Sequence, residues 1–269
     1  MKPQLFLVAT PIGNMNDITL RALEVLKDVD IIACEDTRHT LGLLNHFEIK
    51  KPLISYYKQK EIEGSQQIID LLRQGKKIAL VSDAGMPCIS DPGSVLVREL
   101  QKEEIEYTII PGASAVVSAI ALSGVMGTFT FLGFMPERNK DYEKFINNYK
   151  NLDSNLVIYS APHDLNKIFD KLFISLGERK IYLIKEITKI YENVIIGQLS
   201  DLRIDNPKGE FVIVIEGKTE VIIELDDEQI IAILKDKIEE GNDKKQAVSL
   251  VCKEFELNKN RVYKLAIDI

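Results

Sequence analysis

The sequence predicts an α/β protein of two domains, a parallel-sheet N-terminal domain and a second α+β domain with a mixed sheet, followed by a small helical C-terminal extension. Three observations carry this. Up to about residue 122, short apolar runs alternate with amphipathic helical stretches, the pattern of βαβ units. Between residues 129 and 217 strand-like runs outnumber helical ones. Beyond residue 226 only helical periodicity remains.

The runs 5–9 (LFLVA), 29–34 (VDIIAC), 77–82 (KIALVS) and 107–110 (YTII) are apolar almost throughout, as strands covered on both faces must be. Between the first two, Leu20, Leu23 and Leu26 share one helical face, with Arg21, Glu24 and Lys27 outside it. Helical stretches at 68–72, closed by Gly75, and at 95–100 and 113–122 complete the first alternation. After Gly127, strands at 129–134, 155–160, 180–187, 193–197 and 211–217 accompany helices at 141–150 and about 164–176. In the tail, an Asp226 N-cap and a Gly241 stop bound one helix, and two short helices flank a Glu256-Leu257-Asn258 turn. The expected domains are 1–116, 117–218 and 219–269.

Composition excludes several classes. No apolar run approaches the ~20 residues of a membrane span, and the five-residue run near the N-terminus is too short for a signal-peptide core. A cytoplasmic protein with no membrane partner is expected. Cys34, Cys88 and Cys252 are far apart, with neither metal spacing nor a disulfide framework. The net charge of −7 argues against a general nucleic-acid coating protein but leaves room for a local basic patch. No GxGxxG follows the first strand, and no GxxxxGK[ST], GxSxG or HExxH occurs, which disfavours an ordinary dinucleotide site and removes P-loop, nucleophile-elbow and zincin chemistry.

In open parallel sheets ligands bind beyond the carboxyl ends of the strands. Those ends carry TPIGN (10–14), CEDTRHT (34–40), SDAGMPCISDPG (82–93) and PGASA (111–115). Each is rich in glycine, proline, acid or hydroxyl residues. Such loops hold a fixed backbone shape, and Gly85 and Gly93 allow close approach.

These four loops, in this order, resemble the tetrapyrrole methylase superfamily, whose members bind S-adenosylmethionine in a cleft between two α/β domains. TPIGNMNDIT, EDTRHT and SDAGMPCISDPG, with KEITKIYE (185–192) and KGEFVIVIEG (208–217), are similar to one bacterial branch. That branch methylates a cytidine ribose 2′-hydroxyl of 16S rRNA in the decoding centre of the small ribosomal subunit. The tail is similar to its helix-turn-helix-like extension. The resemblance implies S-adenosylmethionine as cofactor, 16S rRNA as partner and a homodimer; a metal is not implied. It implies cofactor contacts from Pro11, Gly85, Met86, Ile89, Ser114, Ala115, Tyr159, Ile187 and Glu210. Asp83 and Asp91 are candidates for the negative potential that suits a sulfonium; a loop cap and an Asx turn are the alternatives.

A ribose hydroxyl is a poor nucleophile until its proton leaves. Glu35 or Asp36 is the candidate base or base-orienter, and Arg38 the candidate partner of a phosphate or of the forming oxyanion. His39 is a weaker candidate, equally readable as a surface or capping histidine. Lys50, Lys51, Lys58 and Lys60 surround Tyr56-Tyr57, either an RNA-stacking patch or a solvated loop over core tyrosines. Lys259, Asn260, Arg261 and Lys264 gather where a helix-turn-helix meets nucleic acid, or in a plain capping bundle. Where the branch carries Tyr-Glu-Ser/Ala-Pro-His-Arg, this chain has Tyr159-Ser160-Ala161-Pro162-His163-Asp164, lacking a Glu and an Arg. Two other readings share these residues: a methylase of a tetrapyrrole or other small molecule, and a non-catalytic RNA-binding ribosome-assembly factor.

Overall fold

The computed structural model describes residues 4–218, 225–255, 257–267 and 269. The chain divides into two compact units, Met1–Lys218 and Thr219–Ile269.

The first unit holds two five-stranded sheets. Strands β1 (Leu5–Val8), β2 (Ile31–Cys34), β3 (Leu53–Ser55), β4 (Ile78–Val81) and β5 (Tyr107–Ile110) form the first, in the order β3-β2-β4-β1-β5. All its pairings are parallel, as buried apolar strands require. Helices α1 (Leu20–Asp28), α2 (Thr37–His46), α3 (Glu61–Arg73) and α4 (Ser94–Lys102) make the crossovers. They cover both faces, with Leu26 and Leu44 in one cluster and Ile68, Leu72, Leu96 and Leu100 in the other. Burying each such side chain contributes about 1.5–3 kcal/mol.

Two elements depart from the sequence-based expectation. The stretch 34–40 is not a loop: β2 ends at Cys34 and α2 starts at Thr37, because the Asp36 carboxylate accepts the Arg38 backbone N–H at 2.8 Å and caps the helix. Strand β3 is not predicted by the sequence at all; three residues are too few to show a period of two.

Strands β6 (Phe129–Phe134), β7 (Asn155–Ser160), β8 (Lys180–Lys185), β9 (Asn193–Gln198) and β10 (Phe211–Ile215) form the second sheet in the order β6-β7-β10-β8-β9. Only β6 and β7 are parallel, so the sheet is mixed. Central β10 alternates its contacts. Phe211, Ile213 and Ile215 meet Leu165, Phe169 and Leu172 of α7 (Leu165–Leu176), while Val212 and Val214 meet Val116 and Ala119 of α5 (Ala115–Ser123). Helix α6 (Asn139–Ile146) adds Tyr142 and Ile146 to the α7 side.

The second unit is a three-helix cluster of α8 (Asp227–Glu239), α9 (Lys244–Glu254) and α10 (Lys259–Ile267). Its core includes Ile230, Leu234, Val248, Val251 and Val262. Asp226 with Gln229, and Asp243 with Gln246, form capping boxes at the first two helices. Arg261 is tied down, donating to the Asp227 carboxylate at 2.6 and 2.9 Å and to the Leu225 carbonyl at 3.0 Å. Lys259, Asn260 and Lys264 stay exposed. Glu256, in the expected turn, lies outside the described residues. Among the described residues no helix is long and apolar enough to cross a membrane.

Candidate active site

Strands β1 and β4 are neighbours, so the loops that leave them meet. Thr10 and Gly85 exchange backbone hydrogen bonds at 2.8 and 3.1 Å. The Thr10 hydroxyl donates to the Ser82 carbonyl at 3.1 Å, and the Ser82 hydroxyl to the Gly85 carbonyl at 3.2 Å. Gly85 has φ +83°, and a Cβ there would stand 3.2 Å from Ile12 Cγ2. Further along, Cys88 (φ 71°) and Ser90 (φ 66°) are held in the left-handed region despite their side chains, a strained conformation that the surroundings must over-determine. Part of that restraint is Glu61 on α3, whose Oε1 accepts the Gly93 N–H at 2.8 Å. The glycines and prolines of 82–93 therefore form a fixed scaffold rather than a simple turn.

That scaffold forms one wall of a cavity of about 460 Å³ between the two sheets, within the ~300–1,000 Å³ usual for small-molecule sites. Of the residues singled out in the sequence, Glu35, Asp83, Gly85, Met86, Ile89, Asp91, Ser114 and Ala115 line it from the first sheet, and Tyr159, Ile187 and Glu210 from the second. Pro11, Asp36 and Arg38 are not among the lining residues, although Pro11's neighbour Ile12 is. Arg38 is exposed and forms a two-point pair with Asp36, at 3.2 and 2.7 Å. This pair and the Arg38 backbone N–H hold the Asp36 carboxyl well below the usual range, which leaves it a poor proton acceptor.

The carboxylates facing the cavity behave differently. Burial, then the charges of Glu35 and Asp83, push the Asp91 carboxyl up to about 6. Burial and then Asp83 likewise raise Glu35 above its ordinary value. Asp83 also accepts the Asp36 N–H at 3.2 Å, joining the ends of β2 and β4. Burial and then Asp91 push the Tyr159 phenol up to about 12. Crowded carboxylates of this kind are poised for a cationic ligand.

Beside the second sheet, between β8 and β9, the Lys189 ammonium bridges Glu186 at 2.9 Å and Glu210, just before β10, at 3.0 Å. Burial alone would raise the Glu186 carboxyl, but the Lys189 ammonium and the Glu210 N–H together bring it below its ordinary value. The Asn14 N–H donates to Thr188 Oγ1 at 3.1 Å, so this segment grips the loop after β1.

Phe134 is a cavity wall that no sequence motif marks; Phe211 and Val212, inside 208–217, and Ala161 and Pro162, beside Tyr159, are walls that the motifs contain but that were not singled out as contacts, and Ser160, which stands out in the sequence only as a departure from the family pattern, joins them. Phe134, 61% exposed, follows the bulge at Gly133 and stands edge-on to Tyr159. Tyr56 is 1% exposed and bonds to Ser65, so it is a core residue and no stacking platform.

Apolar walls for an adenine and carboxylates for a sulfonium fit S-adenosylmethionine. The two-sheet architecture around such a cavity defines a methyltransferase class: the profile described as Tetrapyrrole (Corrin/Porphyrin) Methylases matches residues 4–203. A crystal structure of diphthine synthase has the same fold, with a TM-score of 0.63, 19% identity, and cover of 80% of this chain and 90% of that one. Two curated relatives bear the name ribosomal RNA small subunit methyltransferase I. That of Synechocystis sp. is 38% identical over 272 residues, covering 98% of each chain. That of Coprothermobacter proteolyticus is 44% identical over 215 residues, 78% of this chain and 96% of the relative. The chain belongs to the tetrapyrrole methylases and, within them, to the ribosomal RNA small subunit methyltransferase I family; it is an S-adenosylmethionine-dependent methyltransferase.

Proposed function

We propose that this enzyme methylates the 2′-hydroxyl of a cytidine ribose in the 16S rRNA decoding centre of the small ribosomal subunit. The relatives' names supply the rRNA. The observation that carries the chemistry is the placement of Glu35, with a raised carboxyl, on the same cavity as Asp83 and Asp91. S-adenosylmethionine, when bound, supplies an electrophilic methyl group. Asp83 and Asp91 offset its positive charge, while Ile12, Ile89, Ile187 and Val212 form apolar walls. Glu35 takes the proton of the ribose hydroxyl as its oxygen becomes the nucleophile. Exposed Phe134 offers a face for the nucleobase. Arg38, outside the cavity lining, serves an RNA phosphate rather than an oxyanion.

The same reading includes a cytoplasmic location and a homodimer. Val117, Leu122, Met126 and Phe129, exposed on and just beyond α5, offer apolar surface that a second copy would cover. It also includes a division of the first unit near Val116, since the chain passes from β5 to α5 there and α5 packs on the second sheet. The test is transfer of labelled methyl from S-adenosylmethionine to purified, unmodified small subunits, with the product mapped for 2′-O-methylation. Label on a base, or on no RNA at all, would overturn the assignment.

A further inference from the structure

A second, open cavity of about 520 Å³ lies between the start of α7 and the segment 206–208. We propose that it binds a phosphate of the substrate RNA backbone, next to the nucleotide being methylated. This rests on the rRNA reading above.

Its lining includes Lys167, Lys208, His163, Asn166 and Asn206, and no carboxylate. In a chain of net charge −7 such a local surface runs against the average. Lysine ammonium groups bind phosphate as point charges, and an amide such as that of Asn206 supplements them. The wall it shares with the methyl-transfer cavity is Pro162. A chain entering one cavity with its ribose would therefore leave its neighbouring phosphate at the other.

The cavity is built rather than incidental. Asn166 on α7 clasps the opposite segment: its Nδ2 donates to the Ile204 carbonyl at 2.9 Å, and its Oδ1 accepts the Ile204 N–H at 3.1 Å. This holds the approach to Asn206 and Lys208 against the helix that carries Lys167, so little ordering is left to be done on binding. Asp164 lies next to the lining and orients two of its side chains, 3.1 Å from His163 and 4.0 Å from Lys167. Lys208 forms no ion pair among the described residues.

The test compares the full-length protein with Lys167→Ala/Lys208→Ala, Lys167→Arg/Lys208→Arg and a remote control, Lys27→Ala/Lys102→Ala. The control lysines sit in the last turns of α1 and α4, at the end of the first sheet opposite the ligand loops. Methylation of small subunits is followed at salt concentrations from about 50 to 200 mM. The cavity alanine pair should raise KM for the subunit several-fold. It should flatten the salt dependence of log KM by about 0.7 for each phosphate no longer neutralised, with kcat and calorimetric affinity for S-adenosylmethionine unchanged. The arginine pair should restore both KM and slope, and the control should match wild type. Wild-type KM and slope in the alanine pair would overturn the proposal, as would an equal change in the control. If wild type binds S-adenosylmethionine yet transfers no methyl to subunits, the rRNA reading fails and this subsite fails with it.

Discussion

At the residue scale, two carboxylates of the same cavity carry separable predictions. Glu35 is the proposed proton acceptor. Glu35→Gln should lower kcat by about 10²–10⁴, the usual worth of a general base, while calorimetry finds unchanged uptake of S-adenosylmethionine. Burial and Asp83 raise this carboxyl, so the acid limb of the wild-type pH profile should lie above the ordinary glutamate range and flatten in the variant. A variant as active as wild type would remove Glu35 from the mechanism. Asp91 is proposed to act through charge. With its carboxyl near 6, it is largely protonated at low pH and ionised at neutral pH. A raised folded-state value means that its proton stabilises the free enzyme below the unfolded value near 4, and that this contribution is lost as pH rises through about 6. Attraction for a sulfonium has the opposite sign, because it needs the ionised form. Calorimetry should therefore show weaker binding of S-adenosylmethionine at about pH 5 than at about pH 7.5, and Asp91→Asn should shrink that difference.

At the element scale, the decisive part is the loop 82–93 and what restrains it. Glu61 is its buttress, and the bond to the Gly93 N–H replaces the side-chain cap that α4 lacks. Glu61→Ala should cost about 1–3 kcal/mol, the penalty for a partly buried donor left unpaired. It should also speed amide exchange across the loop and weaken cofactor binding; unchanged exchange would show that the loop is rigid without it. The sequence made the loop legible, since Gly85, Gly93 and two prolines in one short stretch already demand a special backbone. It could not reveal Glu61, whose partner lies 32 residues away and depends on α3 packing beside α4. The same limit hid α2, where one aspartate both ends a strand and caps a helix, so that Asp36 looked like a cavity acid beside Glu35. Strands β7, β8 and β10 were readable from apolar content alone. Which faces of them met the cavity was not, since β10 is buried on both sides and its sequence, Phe-Val-Ile-Val-Ile, is apolar at every position.

For the whole molecule, each of the two units carries a core of its own. Among the described residues, the core of the second unit draws on residues from Leu225 to Ile269, and the clusters of the first end at Ile215. Each unit thus has its own buried surface and could fold independently. The relative from Coprothermobacter proteolyticus is matched over 96% of its length by an alignment of 215 residues, about the size of Met1–Lys218. A chain cut after Lys218 should therefore remain folded and take up S-adenosylmethionine with unchanged affinity, because every described residue that lines the cavity lies before that point. Exposed Lys259 and Lys264 go with the removed helices, so KM for the small subunit should rise and its salt dependence weaken. Calorimetry with the cofactor and kinetics with the subunit read these two effects separately. Loss of cofactor binding on truncation would mean that the helical unit supports the catalytic fold itself. Unchanged kinetics with the subunit would assign all RNA recognition to the first unit, where Arg38 and the lysines beside Pro162 would then carry it.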